Sequence, residues 1–158
     1  MNQIEKLIAQ DEIRATLYKY CKSIDCNDWD GVRSCFWEEH RHQHGIYFSG
    51  SLDEFIGFAK YASESFKRSR HCILNLVVEF SDDGLSATSD ANFTAVHFIE
   101  GGTETEFFDT SKGDLDWLIA GDYQDKWKYR DGQWRIIERH ADHLWERLEP
   151  SNDPRKET

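Results

Sequence analysis

The sequence predicts an α+β fold, with N-terminal helices packed on a strongly bent antiparallel sheet that closes a cone around a pocket. Three observations carry this. Helical spacing of apolar residues is concentrated in the first third of the chain. From His71 onward, long β-rich runs dominate. Asp131-Gly132, between two of those runs, is a strong two-residue hairpin signal.

Taken in order, residues from about Gln3 to Cys26 read as a helix, with Ile4, Leu7, Ile8, Ile13, Leu17, Cys21 and Ile24 near helical spacing. Asn27 is placed to cap a second helix over Asp28–Phe36, whose Trp29, Val32 and Phe36 share a face. A strand is expected over His40–Phe48, ended by Ser49-Gly50. Ser51 and Glu54 form a capping box that opens a third helix, running to about Phe66 and burying Phe55, Phe58 and Ala62. His71–Phe80 and Leu85–Ile99 flank the turn Ser81-Asp82-Asp83-Gly84. The polar, Gly-containing stretch from Glu100 to about Asp116 reads as a long loop able to act as a lid. Strands Asp116–Tyr129 and Gln133–His143 follow. One domain over 1–149 is expected, with a disordered tail over 150–158.

Composition narrows the function. Ten Phe, six Trp and six Tyr exceed what a core of this size needs, so some are expected to line a cavity or a subunit interface. A net charge of −11, without a basic stripe, argues against nucleic acid. The longest apolar runs, such as Cys72–Val78, are too short to cross a bilayer, and the first residues lack the pattern of a secretory signal. A cytoplasmic location with reduced thiols at Cys21, Cys26, Cys35 and Cys72 is the resulting expectation. There is no dinucleotide fingerprint or phosphate loop, and no cofactor is expected.

Two polar residues sit against local preference. Asp25 falls at a helix C-terminus, where the macrodipole disfavours a carboxylate, although a solvated acid in a turn is the plainer reading. His71 opens the apolar strand HCILNLVVEF, where a satisfied structural histidine is the plainer reading. His40, His42 and His44 alternate and share one strand face. Three ligands in a row do not converge easily on one ion, so a pocket or interface role for His42 or His44 is preferred to a metal site. Asp90, Asn92 and Thr94 share a face of their strand, with His97 on the other; Asn92 is a candidate for hydrogen-bonding substrate. His140 and His143 are placed at a subunit contact, without a catalytic role.

Together, Tyr20, Asp25, Asp28-Trp29, Phe36, His71 and the segment RDGQWRI from Arg130 to Ile136 resemble the SnoaL-like branch of the nuclear transport factor 2-like superfamily, whose fold is the cystatin-like cone. The likeness runs from about Ile4 to Leu148. The pairing of Asp25 with His71 is similar to the Asp–His dyad of the scytalone dehydratase, bile-acid 7α-dehydratase and hexachlorocyclohexane dehydrochlorinase group. Tyr20 matches a pocket tyrosine five residues before the dyad aspartate in the bile-acid enzyme. The histidine cluster departs from the pattern of that group.

What the resemblance implies is a cofactor-independent lyase, a dehydratase or similar, acting on a small, largely apolar ring compound. In that reading His71 takes a proton from carbon, Asp25 orients it, and Tyr20 donates a hydrogen bond to the developing oxyanion or departing group. An isomerase or cyclase using the same base is the alternative within catalysis. A non-catalytic binding module, like the small subunits of ring-hydroxylating dioxygenases, is the alternative outside it. The resemblance further implies a homo-oligomer, trimer or dimer, with a small molecule as the other partner.

Overall fold

The computed structural model describes residues 1–151. The first helix, α1 (Gln3–Asp25), starts at a capping box in which Asn2 accepts from the Glu5 backbone N–H and the Glu5 side chain accepts from that of Asn2. Its inner face buries Ala9, Ile13, Leu17, Tyr20 and Cys21. Ile4, Leu7 and Ile8, expected on the same stripe, are exposed. After Cys26 the chain reverses at Asn27, whose φ of 56° ends the helix; Asp28 then caps α2 (Trp29–Arg33) by accepting from Gly31.

Here the structure departs from expectation. The second helix is one turn long, with Gly31 inside it, and Phe36 begins a strand, β1 (Phe36–His44), instead of ending a helix. A tight turn at Gly45 then separates β1 from a second strand, β2 (Phe48–Ser51), where one continuous strand was expected. Ser51 and Glu54 form the expected capping box on α3 (Leu52–Ser63). The remaining strands are β3 (Arg68–Phe80), β4 (Ser86–Ile99), β5 (Leu115–Arg130) and β6 (Gln133–Pro150). Asp131 and Gly132, both at positive φ, make the β5–β6 hairpin. β6 runs through Pro150, the first residue of the expected tail; residues 152–158 of that tail lie outside the described residues.

Among the described residues, six strands form one sheet in the order β2-β1-β6-β5-β4-β3. The expectation of a purely antiparallel sheet is corrected at one place: β1 runs parallel to β6. No hairpin links those strands, so no turn signal in the sequence reported their relative direction. The architecture is otherwise the predicted one, helices first and packed on a sheet that carries the rest of the chain.

Two irregularities in β6 decide which residues face inward. Opposite β5, Ile137 and Leu144 are skipped by the pairing register, so each is an inserted residue. The interior face therefore passes from Trp134 and Ile136 to Arg139, Ala141 and His143, and then to Glu146 and Leu148. Simple alternation from Trp134 would have put His143 on the outside. The second insertion needs Gly121 on β5, because a Cβ there would lie 1.9 Å from the Asp142 carbonyl oxygen.

Candidate functional site

The cone encloses a cavity of about 540 Å³. Its wall is mostly apolar and aromatic, drawn from α1, α3, the end of β1 and the inner faces of β3 to β6. The loop between β4 and β5, expected to serve as a lid, contributes Phe107 and Phe108 to that wall. It is tied to α3 and the residues after it by Tyr61 Oη donating to Glu106 (2.9 Å) and a Ser65–Thr105 hydroxyl contact (2.9 Å).

Asp25 and His71 meet at one side of the cavity. Nδ1 of His71 lies 2.7 Å from Asp25 Oδ1, and the His71 backbone N–H is 3.0 and 3.1 Å from the two carboxylate oxygens. Arg70 Nη1 stands 3.6 Å from Oδ2. The carboxylate is 4 % exposed, and these donors offset both its burial and its place at a helix C-terminus. An acceptor-only carboxylate on Nδ1 assigns the ring's proton to that nitrogen, leaving Nε2 as the basic atom. His71 lines the cavity, and alternation along β3 brings Ser69 there as well.

Tyr20 also reaches the cavity wall, five residues before Asp25 on the buried face of α1. Its ring packs edge-on against Phe36 and Tyr123, with the Arg139 guanidinium 4.4 Å from its centre. Burial pushes its hydroxyl up to about 12, so it stays a protonated donor near neutral pH. Arg139 is itself fully buried. It makes a bidentate pair with Asp125 at 2.7 and 2.7 Å and lies 4.2 Å from the Tyr123 ring centre. Burial works against its charge, but the Asp125 carboxylate outweighs it and holds the guanidinium protonated.

The alternating histidines form a row. His40 Nε2 is 3.2 Å from His42 Nδ1, His42 Nε2 is 3.4 Å from His44 Nδ1, and His44 Nε2 is 3.0 Å from His143 Nε2. His143 Nδ1 then lies 2.6 Å from Glu146 Oε1. Among these, His44, His143 and Glu146 line the cavity, whereas His40 and His42 stand behind it. Desolvation, reinforced by the neighbouring Arg139 guanidinium, pushes His40 down to about 3, and desolvation with the nearby histidines does the same to His44. His42 and His97 are likewise held neutral by burial first and nearby imidazoles second.

Two expectations are corrected. His42 does not line the cavity; its ring stacks on Phe55 with centres 3.6 Å apart. Asn92 lies on the outer face of the sheet, between Asn75 (3.1 Å) and Asp122 (2.6 Å), because Phe93 and Ala95 take the inner face of β4. The same alternation brings His97 into the cavity, where Ser69 Oγ lies 2.8 Å from its Nδ1 and its ring centre is 5.2 Å from that of His71. Sequence reading had put His97 on the face opposite Asn92 but drew no role from it. His143, expected at a subunit contact, is turned inward by the inserted Ile137 of β6.

Comparison with known proteins agrees with this architecture. A family model described as a SnoaL-like domain matches residues 5–140. A candidate scytalone dehydratase from Novosphingobium aromaticivorans superposes with a TM-score of 0.79 at 17% identity, over 96% of this chain and 94% of that one. Hexachlorocyclohexane dehydrochlorinase of LinA type 3 from Novosphingobium barchaimii gives 0.79 at 13% identity, over 97% and 100%. A protein of unknown function with a cystatin-like fold from Nostoc punctiforme gives 0.66 at 17%, over 90% and 93%. No curated protein sequence matches. At these identities the structural likeness speaks for the fold alone.

Proposed function

The chain belongs to the SnoaL-like domain family, and from that premise we propose that it is a cofactor-independent lyase performing β-elimination on a small, largely apolar ring compound. The observation that carries the reading is the 2.7 Å contact between His71 Nδ1 and Asp25 Oδ1 at the wall of an apolar cavity. Asp25 holds the ring in one tautomer and stabilises the imidazolium that forms when Nε2 takes a proton from carbon. A cavity of about 540 Å³ holds a one- or two-ring compound. Its aromatic walls exclude the water that would otherwise compete for the base and solvate the developing charge. Tyr20, kept protonated by burial, is a hydrogen-bond donor toward an oxygen on which charge develops.

Structural likeness to a candidate scytalone dehydratase and a dehydrochlorinase is consistent with elimination as the reaction class. The test is turnover of ring-bearing ketones with a leaving group β to the carbonyl. His71→Ala is expected to lower turnover by about a hundredfold or more, the usual range for a positioned general base. A loss below about tenfold removes His71 from that role. Conversion of such a ketone to a shifted isomer without loss of the leaving group replaces elimination by isomerisation at the same base.

A further inference from the structure

The cavity holds a second imidazole–carboxylate pair. His143 Nδ1 is 2.6 Å from Glu146 Oε1, a contact as short as that between His71 and Asp25. The carboxylate is anchored twice more, by Tyr47 Oη at 2.9 Å on Oε1 and by Trp117 Nε1 at 3.1 Å on Oε2. Glu146 only accepts in these contacts, so Nδ1 of His143 keeps a proton in either charge state, and Nε2 is turned toward the cavity and His44. His44 Nε2 stands 3.0 Å away, and the ring of His44 is held by His42 behind it. His40 and His42 are buried away from the cavity, while the His44–His143 edge is presented to it. One cavity thus contains two carboxylate-oriented imidazoles.

We propose that His143, positioned by Glu146, is the acid that protonates the departing oxygen, and that the substrates are accordingly β-hydroxy carbonyl compounds that lose water. The inference rests on the elimination reading and specifies its leaving group. His71 Nε2 takes the proton from the carbon next to the carbonyl. The electron pair of that C–H bond becomes the new C=C bond as the C–O bond at the β carbon breaks. His143 enters this step as an imidazolium, with one proton on Nδ1 against Glu146 and the other on Nε2. The leaving oxygen takes the Nε2 proton and departs as water, so His71 ends protonated and His143 neutral. One proton returned from His71 to His143 through solvent resets the site. A halide or carboxylate leaves without a proton, and for such substrates His143 is dispensable. His143 touches the reacting atoms in this account; Glu146 acts through it as a positioning residue.

The test compares two probes, 4-hydroxy-4-phenylbutan-2-one and its acetate ester, which give the same enone but differ in whether the leaving group needs a proton. His143→Gln is expected to cut elimination of the hydroxy ketone by about a hundredfold and that of the ester by less than about fivefold. Glu146→Gln keeps the size and part of the hydrogen bonding; the same selective loss is expected, with an unchanged circular dichroism spectrum. His71→Ala lowers both probes alike. Equal losses on both probes, or no loss on the hydroxy ketone, overturn the acid role while leaving the elimination reading intact. Wild-type protein inert toward both probes overturns the elimination reading for this class, and the acid role with it.

Discussion

Lowering the pH from 7.5 to 5.0 is expected to cost this protein an unusual share of its stability. His40 and His44 ordinarily titrate near 6.5, and burial pushes both down to about 3. Their folded values lie below their unfolded ones, so the unfolded chain binds more protons between those limits. The stability they contribute is therefore complete above about pH 6.5 and is lost as the pH falls toward 3. At pH 5.0 each is about 1.5 pH units below its unfolded value, which is about 2 kcal/mol per histidine and about 4 kcal/mol for the pair. His42 and His97 shift in the same direction, again through burial first. Against a total of about 5–15 kcal/mol for an ordinary domain, this loss is large. Urea unfolding at a series of pH values reads it directly, with the free energy falling as acid is added well before the carboxylates titrate. A free energy at pH 5.0 within about 1 kcal/mol of that at pH 7.5 refutes the reasoning, because it means the histidine row takes up protons without leaving the folded state.

Two further outcomes follow from the packing. Asp125→Ala leaves the fully buried Arg139 without its carboxylate and is expected to cost about 3–5 kcal/mol by urea unfolding; adding Arg139→Met is expected to recover part of that loss, since the pair is then removed as a unit. Gly121→Ala drives a Cβ to 1.9 Å from the Asp142 carbonyl oxygen and is expected to destabilise by about 3 kcal/mol, measured as a fall in the urea midpoint.

Much of the fold was legible from local signals. The capping box at Ser51, the inner stripe of α1 from Ile13 to Cys21 and the Asp131-Gly132 turn are short-range features that the chain expresses wherever it is placed. Asp25 and His71 were singled out by position and by resemblance, and the fold brings them into contact. The parallel pairing of β1 with β6 was not legible, because it joins strands about a hundred residues apart with no connecting turn to mark direction. Nor was the inward turn of His143, because an inserted residue in a strand changes the face of everything after it and leaves no compositional mark. The Asp125–Arg139 pair escaped for a related reason: charged residues in strands usually face water, and only the tertiary packing under Tyr20 and Tyr123 puts this one inside.

The central claim is that this cavity takes a proton from carbon through His71. It is tested most directly without any leaving group, by following deuterium uptake at the carbons next to the carbonyl of 4-phenylbutan-2-one in D₂O by proton nuclear magnetic resonance. Wild-type protein is expected to speed exchange well above buffer, and His71→Ala and Asp25→Asn to lower that excess by about a hundredfold. Exchange that survives in both variants contradicts the account, because the proton is then being taken by some other group.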